Sequence, residues 1–381
     1  MPPSNDKRSE LESIRGLAAI VVVISHHLLM FAPQFSRELL LPGFGLWHHA
    51  DFAVRIFFVL SGYVLTRKYF QTGAIAVLAS GAVRRYPRLL LPILGSTLLG
   101  YGLYAGGFMA HRTVADIQGR PMDESDWVYV HYRYPPSLKE AVSEAAIRSY
   151  IGHYAPNTYN SSLWTMEVEF FGSLFAFALA ALVGRLRNRW LLYVVIAVVL
   201  ERLQAWYFID FLAGVAFCDL LVHRASNWKF AAALLPFGLI LGDCTQSSIP
   251  ISDTPRLPHL MSTVAAAAVI AGATLSPFWR WVLSFRPFVF LGNISFCLYL
   301  FHIPILYSLG TMLFCYCHSQ GLDSQRAALI SATCSIAASI ATAHLGTITL
   351  DRWSIRLASQ LDSRIFRAVD KSDLQPMKLA S

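Results

Sequence analysis

The sequence contains few charged residues. Aspartate, glutamate, lysine and arginine make up 14% of the 381 residues, whereas about 25% is usual in a soluble globular protein. Hydrophobic residues make up 55%, and no soluble domain is evident before, between or after the apolar runs. This scarcity of charge argues against a soluble enzyme and predicts a polytopic membrane protein.

Other familiar signals are also missing. The six cysteines form no C-x-x-C pair and no His-Cys metal spacing, so we expect no metal site, although a disulfide among Cys244, Cys315 and Cys317 could form. The first apolar run is long and lacks a small-residue cleavage site, which favours a first span over a signal peptide. There is no internal repeat, and no matched pair of interrupted helices of the kind that marks many secondary transporters.

About ten apolar segments approach the length needed to cross a bilayer. They predict an all-α, polytopic integral membrane protein with about ten transmembrane helices. We expect these helices near residues 14–31, 50–70, 88–109, 163–184, 190–204, 206–223, 229–243, 260–276, 288–309 and 326–350.

Lysine and arginine predict the topology. The net charge of +8 comes from cations between the apolar runs, a positive-inside pattern that does not suggest nucleic acid. Placing both termini in the cytoplasm puts most of these cations inside. We therefore predict a cytoplasmic N-terminal tail (1–13), a transmembrane domain (14–355) with an outer loop at about 110–160, and a basic cytoplasmic C-terminal tail (356–381).

The first span carries a cation and a histidine at a helical spacing. Arg15 and His26 are eleven residues apart, which places them on nearly the same helix face and roughly 16 Å from each other. Ionisable groups inside a bilayer are usually functional. His27 points about 100° away, so we assign the chemistry to His26 and a structural role to His27. The alternatives are an inner-face anchor for Arg15 and a packed polar residue for His26.

The second span contains the small residues Ser61 and Gly62. They would let another helix, or a thin ligand arm, approach closely. Plain helix packing explains them equally well. Arg55 lies nearer the outer end of this span and could pair with Asp51, one turn earlier.

A cationic cluster, Arg84-Arg85-Tyr-Pro-Arg88, stands where we expect the third span to begin. Proline suits a helix start, and arginine binds phosphates in a bidentate manner. The cluster therefore predicts a phosphate-binding mouth on the inner side. Topology-setting charge and contact with anionic lipids are the alternatives.

The fourth span has two acids near its outer end. Glu169 lies about one and a half turns below Trp164, inside the bilayer, and Glu167 lies about 200° around the helix from Glu169. Pairing with His26, at a similar depth, would explain an intramembrane carboxylate. A structural ion pair with another span would explain it too.

The ninth span carries a polar stripe. Ser295, Tyr299 and His302 recur at i, i+4 and i+7, so they line one face of the helix, with His302 in the outer half of the membrane. The pattern is typical of a binding stripe, and a hydrogen-bonded packing seam is the alternative.

Together these stretches resemble the membrane acyltransferase-3 family, which includes bacterial O-acetyltransferases of surface polysaccharides. The resemblance covers about residues 10–355. Two departures from the family pattern, Phe296 for Tyr and Asp351 for Glu, are expected to lie outside the chemistry. The matching motifs, in chain order, are Arg15-x10-His26, Phe57-Phe58-Val-Leu-Ser61-Gly62, Arg85-x-x-Arg88, Leu163-Trp164-Thr-Met-x-x-Glu169 and Ile294-Ser295-x-x-x-Tyr299-x-x-His302.

The resemblance implies an O-acyltransferase that moves an acyl group, most often acetyl, from cytoplasmic acyl-CoA to a carbohydrate hydroxyl at the outer face. Arg15, Arg85 and Arg88 would bind the CoA phosphates, and the pantetheine arm would pass Ser61 and Gly62. The co-substrate is thus acyl-CoA, without a metal.

We also expect His26 to act as the general base and Glu169 to orient it. The acceptor would be a carbohydrate or a lipid-linked glycan, and the protein would lie in the plasma membrane, with the bacterial inner membrane expected. The residues leave open whether transfer is direct or passes through an acyl-histidine. The residues expected to bind substrate are Trp164, Ser295, Tyr299 and His302.

Two other functional classes stay open. A proton-coupled transporter or flippase of a glycan or small molecule would use the histidines and acids as a proton relay and would consume no acyl-CoA. A non-catalytic scaffold or sensor would tolerate replacement of both His26 and Glu169.

Overall fold

The computed structural model describes residues 8–32, 50–120, 126–152, 158–184, 186, 188–222, 231–246 and 256–372. These residues are mostly helical and contain no β-strand, so the all-α prediction is confirmed for them. Ten helices occupy the ten predicted segments: α1 Ser9–Phe31, α2 Ala50–Thr72, α3 Ile75–Ala105, α4 Trp164–Val183, α5 Arg189–Arg202, α6 Trp206–Leu221, α7 Ala231–Gln246, α8 Arg256–Leu275, α9 Arg286–Ile305 and α10 Ser324–Gly346.

Two of these helices continue beyond the predicted segments. A π-helical turn, Leu306–Gly310, joins α9 to the helix Thr311–Ser319, and a second one, Thr347–Asp351, joins α10 to the helix Arg352–Ser372. The predicted C-terminal tail therefore begins within a helix. The ends of both predicted tails, residues 1–7 and 373–381, lie outside the described residues.

Several segments have the length and composition of membrane spans. The protein is thus a membrane protein, whereas the count of ten spans, the domain boundaries and the cytoplasmic placement of both termini stay predictions. The described segments that meet both criteria are Ser9–Phe31, Ser161–Val183, Leu257–Leu275, Arg286–Ser319 and Ser324–Phe366.

The predicted start of the third helix is wrong. Helix α3 begins at Ile75 rather than near residue 88, so Pro87 lies inside the helix instead of at its first turn. The early turns of α3 pack on the helix Arg352–Ser372, and Ser354 Oγ donates to the Pro87 carbonyl at 2.6 Å. This contact stabilises the first turns of α3, which are too polar to be recognised from the sequence as part of an apolar span.

Helices α1 and α9 run parallel and touch at two glycines. A Cβ atom on Gly16 would lie 2.3 Å from the backbone nitrogen of Gly292, and one on Gly292 would lie 2.3 Å from the carbonyl oxygen of Glu12. Glycine is required at both positions because any side chain would separate the backbones. Since the helices run in the same direction, the later turn of α1 that carries His26 lies beside the turn of α9 that carries His302.

The predicted outer loop is folded. We call its described residues between 110 and 160 the outer cap; they form the short helices His111–Ile117, Trp127–Val130 and Leu138–Ser143 and the π-helical turn Glu144–Arg148. Buried aromatic rings join the cap to the bundle. Tyr307, beyond the end of α9, contacts the rings of Trp127 and Tyr132 at 5.2 and 5.4 Å.

The expected pair of Arg55 and Asp51 is confirmed. Arg55 is fully buried, and its Nε donates to Asp51 Oδ2 at 2.9 Å. Its Nη1 donates to Asp210 Oδ2 at 3.3 Å, and Asp210 is also fully buried. This network joins α2 to α6, and His259 extends it to α8. The disulfide considered above is not formed, because all six cysteines are free.

Candidate active site

A cavity of about 210 Å³ lies among α1, α2, α3, α4 and α9, toward the end of the bundle where α1 and α9 begin. Sequence positions far apart in the chain meet there, and the π-helical turn after α10 adds Asp351. Of the residues predicted to form the site, seven line this cavity: Arg15, Ser61, Arg85, Arg88, Glu169, Ser295 and Tyr299.

Each arginine in the cavity already has a carboxylate partner. Arg15 Nη1 donates to Glu12 Oε2 at 3.1 Å, Arg85 pairs with Glu169, and Arg88 pairs with Asp351. The arginine side chains remain 25%, 13% and 32% exposed, respectively. An incoming anion can therefore bind these guanidinium groups if it displaces the carboxylates.

The expected pair of Glu169 with His26 is not formed. Ser61 Oγ donates to Glu169 Oε1 at 2.9 Å and to Oε2 at 3.2 Å, and Arg85 holds the same carboxylate. The sequence placed both groups at a similar depth, but it did not show that Glu169 faces α2 and α3. Because Arg85 lies inside α3 rather than at its start, its side chain can reach α4.

The two departures from the family pattern, Phe296 and Asp351, belong to the cavity wall, and their expected position outside the chemistry stays a prediction. Both line the cavity, and the guanidinium carbon of Arg88 lies 5.8 Å from the centre of the Phe296 ring. Thus Arg88 is held by an aromatic face and by the Asp351 carboxylate.

A polar and aromatic barrier closes the cavity on the side of the histidines. Thr165 Oγ1 donates to the Tyr299 hydroxyl at 2.9 Å, and that hydroxyl donates to the Ser162 carbonyl at 3.3 Å. The ring of Phe57 packs edge-on against Tyr299, with centroids 5.9 Å apart. His302 lies beyond this barrier, 6.0 Å from the Tyr299 ring.

His26 and His302 form a hydrogen-bonded pair whose tautomers are fixed by backbone carbonyls. His302 Nδ1 lies 2.7 Å from the Tyr299 carbonyl, so it must carry the proton and leave Nε2 as an acceptor. His26 Nδ1 lies 2.9 Å from the Val22 carbonyl and 3.1 Å from His302 Nε2, so it donates to both.

The other ring nitrogen of His26 is consequently unprotonated. His26 Nε2 makes no hydrogen bond with the described residues, and the His26 ring stacks on Trp127 of the outer cap at 5.1 Å. An unprotonated, unengaged imidazole nitrogen is a base ready to accept a proton.

His27 is engaged on both sides. Its Nδ1 lies 2.7 Å from the Val23 carbonyl, and its Nε2 lies 2.9 Å from Ser335 Oγ on α10. With 2% of its surface exposed, His27 has the packing role that the helix phase predicted.

Two predicted site residues lie elsewhere. Gly62 packs against α6, where a Cβ atom would come within 2.3 Å of the Phe211 carbonyl oxygen. Trp164 packs on Tyr207, with ring centroids 5.4 Å apart. Neither lines the cavity, so helix packing accounts for the small residue at position 62.

Sequence reasoning did not identify three residues that line the cavity or contact His26: Thr165, Asp351 and Trp127. Thr165 lies within the matched motif of the fourth span, and Asp351 is a noted departure from the family pattern, so the family resemblance offered a signal for both. Trp127 stands in a polar stretch, and nothing in the sequence connects it to His26.

Comparison with known proteins decides the family. A family model described as an acyltransferase domain, that of the acyltransferase-3 family, matches residues 8–344. The chain belongs to the acyltransferase-3 family. The chain is also similar to the O-acetyltransferase PaAT-1 of Phomopsis amygdali, with 26% identity over 371 residues, covering 79% of this chain and 73% of the relative. No solved structure matches.

Membership of the acyltransferase-3 family, together with an O-acetyltransferase among its relatives, makes this chain an O-acyltransferase. The family implies an acyl donor. Among the described residues, no group of three or more His, Cys, Asp or Glu side chains could hold a metal ion.

Proposed function

We propose that this O-acyltransferase takes an acyl group, most simply acetyl, from acyl-CoA on the cytoplasmic side and transfers it to a hydroxyl of a carbohydrate or lipid-linked glycan on the opposite side. The observation that carries the proposal is the unprotonated Nε2 of His26, which lies beyond the Tyr299 barrier of an arginine-lined cavity. The cations on one side of the barrier suit the donor. The base on the other side suits an acceptor that arrives from the opposite face.

The cavity suits the donor. Arg15, Arg85 and Arg88 provide three guanidinium groups, and phosphate oxygens are the anions that arginine binds most specifically. The carboxylates that now pair with these arginines would be displaced as the phosphates bind. Ser61, Ser295 and Phe296 line the remaining wall and leave a mixed polar and apolar path for the pantetheine arm.

The histidine pair suits the chemistry. The acceptor hydroxyl gives its proton to His26 Nε2 while its oxygen bonds to the thioester carbonyl carbon, the carbon–sulfur bond breaks, and the proton passes from Nε2 to the departing CoA sulfur. During this transfer His26 is briefly an imidazolium, and the acceptor Nε2 of His302 stabilises its Nδ1–H. His302 is therefore a positioning residue, a role that we prefer to substrate binding.

The barrier sets a requirement for transfer. Tyr299, Thr165 and Phe57 separate the cavity from His26, so the acyl end of the donor must displace the Tyr299 side chain to reach the base. Residence in the bacterial inner membrane stays a prediction of the family resemblance.

Replacement of the histidines tests the proposal. In nanodiscs, acetyl-CoA turnover should fall at least about 100-fold in His26→Ala, whereas His27→Ala should keep substantial activity. His302→Ala should lower kcat with unchanged acetyl-CoA affinity, and His302→Gln should restore part of it because an amide oxygen can accept from His26 Nδ1. Mass spectrometry of glycans from cells with and without the gene identifies the product.

Each outcome bears on a separate step. Unchanged turnover in His26→Ala would overturn the role of the base, and failure of acetyl-CoA to bind would overturn the donor. Equal loss in His302→Ala and His302→Gln, with altered acetyl-CoA affinity, would return His302 to the substrate-binding role expected from the sequence.

A further inference from the structure

A second cavity, of about 150 Å³, lies in the outer cap and at the end of α3. It shares no lining residue with the arginine-lined cavity. The cap that holds it also holds Trp127, the residue on which the His26 ring stacks. Tyrosine and arginine side chains dominate its wall: Tyr104, Tyr132, Tyr134, Tyr159, Arg133 and Arg148.

One donor in this wall has no acceptor. Arg148 Nη1 donates to the Glu140 carboxylate at 3.2 Å, and Nη2 donates to the Glu140 carbonyl at 2.9 Å. The Nε of Arg148 is buried from solvent and makes no hydrogen bond among the described residues. A buried donor without a partner costs roughly 1–3 kcal/mol. A small shift of the Arg148 side chain toward the cavity would let an oxygen of a bound ligand remove that cost.

The tyrosines are fixed in position by hydrogen bonds at their hydroxyls or backbone. Tyr132 has a φ of +56°, a left-handed conformation that is uncommon outside glycine and that is often found at functional sites. Its hydroxyl donates to the Tyr159 carbonyl at 2.9 Å, and Tyr104 donates to the Tyr134 carbonyl. Tyr134 is 54% exposed, so a ligand can reach its side chain.

The cavity is connected to the base by a short series of ring contacts. The Tyr132 ring lies 5.4 Å from Tyr307, Tyr307 lies 5.2 Å from Trp127, and Trp127 lies 5.1 Å from His26. These packed rings form the wall between the cavity and His26, and each ring-to-ring step is about 5 Å long. A glycan that is acylated at His26 can therefore place a unit further along its chain, rather than the adjacent one, in this cavity.

We propose that the outer-cap cavity binds a pyranose unit of the acceptor that lies further along the glycan than the unit that is acylated. This inference rests on the proposed function, because it assumes a carbohydrate acceptor. Tyrosine faces pack against the apolar face of a sugar ring, and a few convergent polar groups fix its orientation. The hydroxyl oxygens accept from Arg148 and Arg133, and Glu140 accepts from a hydroxyl.

Binding to catalytically inactive protein tests this assignment separately from transfer. The probes are maltotriose and trigalacturonic acid, offered to the His26→Ala protein in nanodiscs and followed by saturation-transfer difference NMR. We expect binding of at least one sugar, weakened about tenfold or more by Arg148→Met and by Tyr134→Ala. Lys139→Met is the matched control, since Lys139 is exposed beside Glu140 and does not line the cavity.

The outcomes separate the two proposals. Failure of both sugars to bind, or equal weakening in Lys139→Met and Arg148→Met, overturns the pyranose site, even if acetyl-CoA still binds and turns over in the active protein. Sugar binding that depends on Tyr134 without acetyl-CoA binding supports the site and overturns the donor proposal instead. Tyr134→Ala keeps the test valid if Arg148→Met fails to fold, because the Tyr134 side chain is largely exposed.

Discussion

Two networks of arginines and carboxylates lie in this bundle, and they differ in access. In the closed network, Arg55 and Asp210 have no exposed surface, and Thr263 Oγ1 donates to Asp210 Oδ1 at 2.6 Å. In the open network, Arg85 and Arg88 line a cavity and keep 13% and 32% of their side chains exposed.

The difference shows how the same ion pair can serve two purposes. A fully enclosed pair cannot exchange its partner, so it can only hold helices together, and its loss leaves an uncompensated charge. A pair beside a cavity can exchange a carboxylate for a phosphate without exposing a bare charge to the bilayer. Access, rather than residue type, separates structural arginines from candidate binding arginines.

The largest effect is expected from breaking the closed network. Arg55→Met leaves Asp51 and Asp210 without their shared cation, and removing one partner of a buried pair costs about 3–5 kcal/mol. We expect the free energy of unfolding in detergent to fall by that amount, without a specific loss of acyl-CoA affinity in the protein that remains folded. Arg202→Met is the control, because Arg202 is 72% exposed; equal destabilisation would contradict the comparison.

The next effect concerns the open network. Hydrogen bonds to charged groups contribute about 1.5–3 kcal/mol, so Arg85→Met or Arg88→Met should weaken acyl-CoA binding by about 10-fold to 100-fold. Isothermal titration or binding of labelled acyl-CoA measures this. Arg84→Met provides a neighbour on the same helix that does not line the cavity. Unchanged affinity in both cavity variants would make these residues topology anchors, the alternative considered from the sequence.

Helix periodicity predicted the parts of the site that depend on one helix. The phase of α1 separated His26 from His27, and the stripe on α9 placed Ser295 and Tyr299 in the cavity wall. Such inferences succeed because residues on one helix have a fixed angular relation. The existence of all ten helices also followed from apolar runs.

Relations between helices could not be predicted in the same way. Span length gives the height of Glu169 in the membrane but not the neighbour that it faces, so its contact with Arg85 was missed. The start of α3 depends on contacts with residues 352–372, far away in the chain. Trp127 reaches His26 only because the outer cap folds back over the bundle.

Outside the spans, the buried histidine His111 differs from the buried arginines because it stays neutral. Burial, together with the positive charge of neighbouring Arg112, lowers the pKa of His111 in the outer cap from 6.5 to about 4, against a hydrogen bond to the His131 carbonyl that raises it. Because the unfolded segment binds the proton more readily, the stabilising contribution of neutral His111 is complete above about pH 6.5. It is lost progressively as the pH falls toward 4, by about 1.4 kcal/mol per pH unit.

Hydrogen exchange measures that loss. Corrected for intrinsic rates, the opening equilibrium of residues 111–117 should rise about tenfold between about pH 7.5 and about 5.5. His111→Gln should remove the dependence, whereas His318→Gln, at an exposed position, should leave it intact. A pH dependence that persists in His111→Gln would assign the effect to another group.

The smallest effect, and the one that tests partner exchange most directly, is expected at Glu169. Glu169→Gln keeps a side chain that can accept from Ser61, but it removes the negative charge that a phosphate must displace from Arg85. Acyl-CoA should therefore bind more tightly, by roughly threefold to tenfold, because the ligand alone then neutralises Arg85. Glu167→Gln is the control on the same helix, since Glu167 does not line the cavity. If Glu169 instead oriented His26, turnover would fall and affinity would stay the same. The sign of the affinity change therefore distinguishes an exchangeable ion pair from a catalytic one, and titration of both variants in one nanodisc preparation measures it.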